Sequence, residues 1–253
     1  MKVLGAKGQN KMSPLGDGSE INMKVDIGII GAMEPEVLAL IQMLENKSVE
    51  TVSGIEFNTG ELLGKKVAIS RCGIGKVFAA MCAQVMILKY SPSLLVNTGV
   101  GGGLAEGLTT GDVVIADRLC QHDMDTSAIG DPVGLVSGIN RIYFEADGRA
   151  VDIISDAART LGLKSVVGTV ASGDKFIASI EDKARIVKLF GASACEMEGA
   201  AIAQVAFVNS TPFAVIRALS DSADGEATMD YPTFLPIAAA NSTKLTLSLI
   251  EKY

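Results

Sequence analysis

Short apolar runs alternate with stretches of helical spacing along most of the chain. Val25–Gly31 is apolar and rich in β-branched residues, and reads as a buried first strand. Glu34-Pro35-Glu36 follows, then Val37, Leu38, Leu40, Ile41, Met43 and Leu44 at helical spacing, with Pro35 suited to a first helical turn. Val52–Glu61 and Lys66–Arg71 read as a hairpin with Gly64 in its turn, and a helix then runs to Tyr90. Leu94–Gly99 is a buried strand opening into a glycine-rich stretch, Val100 to Gly103. Gly111–Asp117 and Val166–Ser172 are further strands, separated by a surface loop at Asp125–Arg141 and an amphipathic helix at Arg149–Leu161. Ile180–Leu189 and Ala200–Val208 read as helices, Pro212–Asp221 as the last strong strand, and Tyr231–Tyr253 as a closing helix. This alternation predicts an α/β fold: a three-layer α/β/α sandwich around a central mixed, mostly parallel twisted sheet. Residues 23–253 then form one domain. Residues 1–22, Gly-, Lys- and Ser-rich with no apolar period, read as a disordered extension without the apolar core of a secretory signal.

Composition narrows the chemistry. At 253 residues and 48% hydrophobic, the chain can bury one large core. Aromatics are only 5% and Trp is absent, so aliphatic and small residues must fill that core. A net charge of −7 argues against nucleic acid or an anionic membrane as partner. Cys72, Cys82, Cys120 and Cys195 form no C-x-x-C pair and read as reduced thiols of a cytoplasmic protein. The single histidine, His122, rules out a His-rich metal site, and His122-Asp123-Met124-Asp125 lacks the convergent ligands a metal needs. Carboxylates, hydroxyls, Arg, Lys and thiols remain.

The carboxylates stand out by position. Glu196-Met197-Glu198 lies where a buried strand turns into a helix, and burying carboxylates is costly unless something pairs with them. Glu36 and Ser220-Asp221 sit at equivalent strand ends. In open α/β sheets those ends are where ligands bind. The competing reading is that each acid merely serves a helix N-terminus. Gly73-Ile74-Gly75-Lys76 suggests a phosphate loop but lacks both the upstream Gly and the following Ser or Thr. A parallel sheet would bring Glu36, Gly99 to Gly103, Phe176, Glu198 and Asp221 to one edge. Charged acceptors grip sugar hydroxyls and stabilise the positive charge of an oxocarbenium-like transition state. Phe176, Ile177 and Met33 would suit a purine face.

From about Met23 to Tyr253 the sequence resembles the 5′-methylthioadenosine/S-adenosylhomocysteine nucleosidases of the nucleoside phosphorylase superfamily. The stretches that carry the resemblance are Ile29–Glu36, Gly73–Val77, Asn97–Gly99, Gly102–Leu104, Ser172–Asp174 with Phe176-Ile177, Glu196–Glu198 and Arg217–Asp221, in the family's order and spacing. The resemblance implies hydrolysis of the N-glycosidic bond of methylthioadenosine and adenosylhomocysteine, and of 5′-deoxyadenosine, without a cofactor or metal, in a cytoplasmic homodimer serving methionine salvage. It implies that Glu36 is the general base acting on water and Asp221 the general acid at purine N7. Glu198 would hold the ribose hydroxyls, with Met197 packing on the sugar. The Ile177 backbone and the Phe176 ring would take the adenine. Ala32, Met33, Ile74, Gly102, Val100, Ser220 and Arg217 would complete the surroundings of the sugar, the water and the 5′-substituent.

Three positions depart from the family's commonest pattern. Val100 and Cys72 stand where Ser is usual, and Ile129 stands where an aromatic is often lent across the dimer. Val100 in place of Ser removes a hydroxyl that would contact the water or ribose, and Ile129 bears on the 5′ pocket. The rival readings are a phosphorylase of the same superfamily, a futalosine hydrolase and a non-catalytic nucleoside-binding protein. A phosphorylase would have to hold an anion beside Glu36.

Overall fold

The computed structural model describes residues 23–224 and 227–253, so the expected extension at 1–22 lies outside the described residues. Among the described residues, ten strands and six helices follow in the order β1 (Ile27–Gly31), α1 (Glu34–Gln42), β2 (Glu45–Val52), β3 (Ile55–Leu62), β4 (Lys65–Arg71), α2 (Lys76–Tyr90), β5 (Leu94–Gly103), β6 (Val113–Gln121), β7 (Phe144–Glu145), α3 (Gly148–Thr160), β8 (Ser165–Ser172), α4 (Ile180–Phe190), β9 (Ala192–Glu196), α5 (Gly199–Val208), β10 (Phe213–Asp221) and α6 (Ala227–Lys252). Helices cover both faces of one mixed sheet. The period of two in the strands sorts the core between those faces. Ile30, Ala68 and Leu95 face α2 and α5, packing with Met86 and Ile202. Ile29, Val67, Ile69, Leu94 and Val96 face the other way, packing with Leu40 of α1, Ile154 of α3 and Leu249 of α6. No helix among the described residues is long and apolar enough to cross a membrane.

The sheet differs from the expected hairpin at its margin. β2 pairs antiparallel with β3, and β3 with β4, so two consecutive hairpins stand where one was expected. β2 is the Glu45-Asn46-Lys47-Ser48-Val49-Glu50-Thr51-Val52 segment, exposed along nearly its whole length. Its polar sequence has no apolar alternation to reveal it. The short β7, which pairs with β6, was likewise not expected. The strand expected to end at Gly99 runs on through the glycines. β5 continues as a fully buried strand through Gly103.

The course of β5 creates the site. Its first half pairs with β1, as far as Ile30 with Asn97. By Gly102 and Gly103 the same edge has left β1 and pairs with β9, through Cys195 and Ala194. Its other edge pairs with β10 from Leu95 to Gly102. β10 pairs with β6, β6 with β8, and β8 with β9, which closes those five strands into a ring. A cleft therefore opens where β1 and β9 part from β5. This is the switch point at which α/β sheets bind ligands. α1, which follows β1, and α5, which follows β9, begin at its two sides.

Candidate active site

Glu36 lies in the first turn of α1 and is buried. Its Oε2 accepts hydrogen bonds from the Ala32 and Met33 amides, at 2.7 and 2.8 Å. Its Oε1 accepts one from the Val100 amide of β5, at 3.0 Å. So Glu36 does serve its own helix, as a first-turn acid should, but it also ties α1 to β5. A carboxylate offers about four acceptor positions. Three are used, which leaves one on Oε1. Burial pushes the Glu36 carboxyl above its ordinary value, against the opposing pull of Arg217 and the three amides. Gly99 makes room for this arrangement: a Cβ there would stand 2.5 Å from Glu36 Oε1.

The two acids after β9 divide their work. Glu196 caps α5, accepting from the Glu198 and Gly199 amides at 3.1 and 2.7 Å. It also accepts from the Ser172 hydroxyl and is ion-paired with Arg217. Glu198 does not cap α5. Its Oε1 reaches across the cleft and accepts from the Gly75 amide at the start of α2, at 2.8 Å. Gly75 can present that amide because its φ is +101°, open to glycine and strained for other residues. Burial pushes the Glu198 carboxyl up to about 8, the neighbouring Glu196 pushes the same way, and Arg217 opposes both.

Asp221 ends β10 opposite Gly102. Its Oδ2 accepts from the Ser220 hydroxyl at 2.9 Å and its Oδ1 from the Ala223 amide at 2.9 Å. The segment after β8 supplies the apolar wall. Ile177 is buried in a small cluster with Cys120, Ala171 and Cys195, while Phe176 stays partly exposed. The Phe176 ring meets Tyr231 of α6 edge-on, with centroids 5.6 Å apart, and the Tyr231 hydroxyl reaches Met33 Sδ at 3.0 Å.

These groups line one half-open cleft, of about 590 Å³ counting the space open to solvent. Its walls include Glu36, Asp221, Glu198, Gly102, Ile177, Phe176, Met197, Met33, Ala32, Ile74, Val100 and Ser220, all singled out from the sequence. Arg217 is not in that wall. It lies beneath, only 1% exposed, donating to the Ile216 and Asn97 carbonyls, the Asn97 side chain and Glu196. Its place is structural support for the acids rather than contact with a ligand. The sequence reading placed Glu196 and Gly101 at this edge without a role of their own and passed over Lys175, Cys195 and Tyr231; all five also line the cleft. The role of Glu196 could have been found, since two buried acids two residues apart need a buried cation, here Arg217. Tyr231 carried no local signal. Cys72 lies buried beside the cleft, its thiol pushed up by burial and directed at the Gly73 carbonyl. Ile129 is 81% exposed on a 3₁₀ turn outside the cleft.

Residues 26–251 match the family model of the phosphorylase superfamily. The chain is 41% identical over 228 residues to the 5′-methylthioadenosine/S-adenosylhomocysteine nucleosidase of Shewanella sediminis (strain HAW-EB3), covering 89% of this chain and 99% of that one. Two solved structures superpose closely. The Neisseria meningitidis nucleosidase in complex with methylthio-immucillin-A gives a TM-score of 0.87 at 40% identity, covering 90% of this chain and 99% of that one. The Colwellia psychrerythraea 34H nucleosidase in complex with adenine gives 0.86 at 37% identity, covering 90% and 95%.

Two outcomes follow from the geometry. Gly99→Ala should displace the Glu36 carboxylate and lower kcat/KM for the nucleoside substrate by about 10²-fold, the usual cost of moving a reacting group by about an ångström; steady-state kinetics at constant fold, checked by circular dichroism, would read it. Glu198 has a folded-state pKa raised above its unfolded value, so the ligand-free protein loses stability as pH rises from about 4.5 through about 8. Glu198→Gln removes that loss. The Tm of the variant relative to the parent should therefore be higher at pH 8 than at pH 5, and an equal difference at both pH values would contradict the assignment.

Proposed function

Because the chain belongs to the 5′-methylthioadenosine/S-adenosylhomocysteine nucleosidases of the phosphorylase superfamily, we propose that Glu36, Glu198 and Asp221 carry out its hydrolysis of the N-glycosidic bond. The enzyme splits methylthioadenosine and adenosylhomocysteine into adenine and the 5-substituted ribose. The observation that carries the assignment of roles is the convergence of these three acids with Phe176 and Ile177 on one cleft. Adenine lies against Phe176, with its edge on the Ile177 backbone. The ribose packs on Met197, and its hydroxyls donate to Glu198. Asp221 gives its proton to purine N7, so that the base leaves neutral. Glu36 uses its one remaining acceptor position to orient water and then takes its proton. As the bond stretches, positive charge grows on the sugar among carboxylates already fixed by backbone amides, so little reorganisation is needed.

Water rather than phosphate is the nucleophile in this reading. Arg217, the buried cation next to the site, is committed to Glu196 and Asn97. Val100 brings no hydroxyl, and Lys175 is paired with Asp182 at 2.6 Å. A phosphate would face the acids unaided. 5′-Deoxyadenosine, which retains the adenine and the ribose hydroxyls, belongs to the same substrate class. The four cysteines are buried free thiols, which fits a cytoplasmic enzyme.

A homodimer completes the proposal. Val77, Phe78, Met81 and Leu88 form an exposed apolar stripe on α2. The stripe adjoins Ile74, which is itself half exposed and lines the cleft. A second copy seated there would cover the open, 5′ end of the pocket, with Ile129 within the contact.

Adenine release from methylthioadenosine should proceed at full rate in phosphate-free buffer. Strict dependence on phosphate would move the protein to the phosphorylases. Glu36→Gln and Asp221→Asn should each lower kcat by about 10²–10⁴-fold, the usual contribution of a general base or acid, while adenine still binds. Met81→Glu should halve the mass measured by light scattering and raise KM, and a monomeric parent would overturn the dimer.

A further inference from the structure

Two side-chain features found no use in the hydrolysis: Lys76, from a stretch that fails as a phosphate loop, and His122-Asp123, which fails as a metal motif. The fold brings them together. Lys76 Nζ donates to Asp123 Oδ1 at 2.6 Å and to Gln121 Oε1 at 3.0 Å. The other carboxylate oxygen, Asp123 Oδ2, accepts from the Asp174 amide at 2.9 Å. Asp174 in turn accepts, through Oδ1, from the Lys76 amide at 2.8 Å. A closed circuit thus joins three loops at the ends of β4, β6 and β8. The His122 ring, buried beside Asp123, packs against Gly173 and braces the same turn.

The circuit sits between the two halves of the site. On one side Asp174 is two residues from Phe176 and three from Ile177, which receive the purine. On the other, Lys76 follows Gly75, whose amide holds the Glu198 carboxylate meant for the ribose. α2 has no cap from its own chain segment. Its first amides are satisfied by Glu198 and Asp174 instead, so the helix N-terminus ties one carboxylate to the other. Asp123 itself does not line the cleft. Burial works against its charge, but Lys76 and the Asp174 amide outweigh burial and hold its carboxyl below the ordinary value.

We infer that Asp123 is a positioning residue that couples the two halves of the pocket: through Lys76 and Asp174 it fixes the purine-binding segment relative to the ribose-binding Glu198. Occupation of one half then prepares the other. The inference rests on the proposed roles of Phe176, Ile177 and Glu198. A coupling of this kind is reciprocal, so adenine and the ribose product must each tighten the other's binding by the same factor.

The test uses the full chain and two fragments, adenine and 5-methylthioribose. Each is titrated calorimetrically, alone and with the other saturating. The parent should show several-fold mutual tightening. In Asp123→Asn, which preserves shape, and in Lys76→Met, that factor should fall towards one. KM for methylthioadenosine should rise about tenfold in each variant, the scale of a lost charge-assisted hydrogen bond, with kcat much less affected. The double variant should be no worse than either single one, because both break the same circuit. Unchanged coupling and KM with only a lowered Tm would overturn the role, as would absence of coupling in the parent. Because binding is read apart from turnover, an inactive parent that still couples the fragments would count against the hydrolytic reading alone. A parent that binds no adenine would overturn both.

Discussion

The buried ion pair between Arg217 and Glu196 is the constraint on which the rest depends. Glu36, Glu196 and Glu198 crowd into one water-poor region, where Glu196 and Glu36 both raise the cost of ionising Glu198. Arg217 sits beneath them, buried, and its charge lowers the pKa of both Glu36 and Glu198 against the pressure of burial. Removing one member of a buried pair typically costs about 3–5 kcal/mol, because the other charge is stranded. Here the loss would spread. Glu196 also caps α5 and binds the Ser172 hydroxyl, and Arg217 also holds the Asn97 side chain, whose amide donates to the Ile30 carbonyl of β1. One pair thus fastens β10, β9, β5 and β1 at the place where β1 and β9 part.

That arrangement explains how acids of one residue type can do different work. Glu36 is held by three amides and keeps one acceptor position. Glu196 is consumed by its cation, its helix and a hydroxyl. Glu198 has a single amide, so it is the one most ready to take new hydrogen bonds from a ligand. Environment, not residue type, assigns the roles.

Much of this was legible in the chain. Strand and helix alternation gave the layers, because buried strands here are continuous apolar runs and the helices keep their spacing. Acids at strand ends pointed to one edge, and twelve of the thirteen residues singled out lie in the cleft wall. What escaped was non-local or lacked an apolar signature. β2 is polar because it is an exposed margin. The predicted strand stops at Gly99 because glycine disfavours strands, yet β5 runs on through Gly103, and Gly99 is there to admit a carboxylate from another element. Arg217 was given to the ligand because its pairing with Glu196 crosses 21 positions of sequence. Tyr231 enters the cleft from α6, and nothing near it in the chain announces that.

The exposed margin at β2 has a consequence for the life of the protein in a crowded solution. Five strands close on themselves and offer no free edge, but the sheet still ends somewhere, and it ends at β2. An unpaired edge is an invitation for another chain to add a strand and begin a fibril. Glu45, Lys47 and Glu50 place charges along that edge, and Asn46 at a φ of +52° breaks its regularity. A colliding copy would have to bury the charges of Glu45 and Lys47. The polarity that conceals the strand from a reading of hydrophobic pattern is the same property that guards the sheet against aggregation.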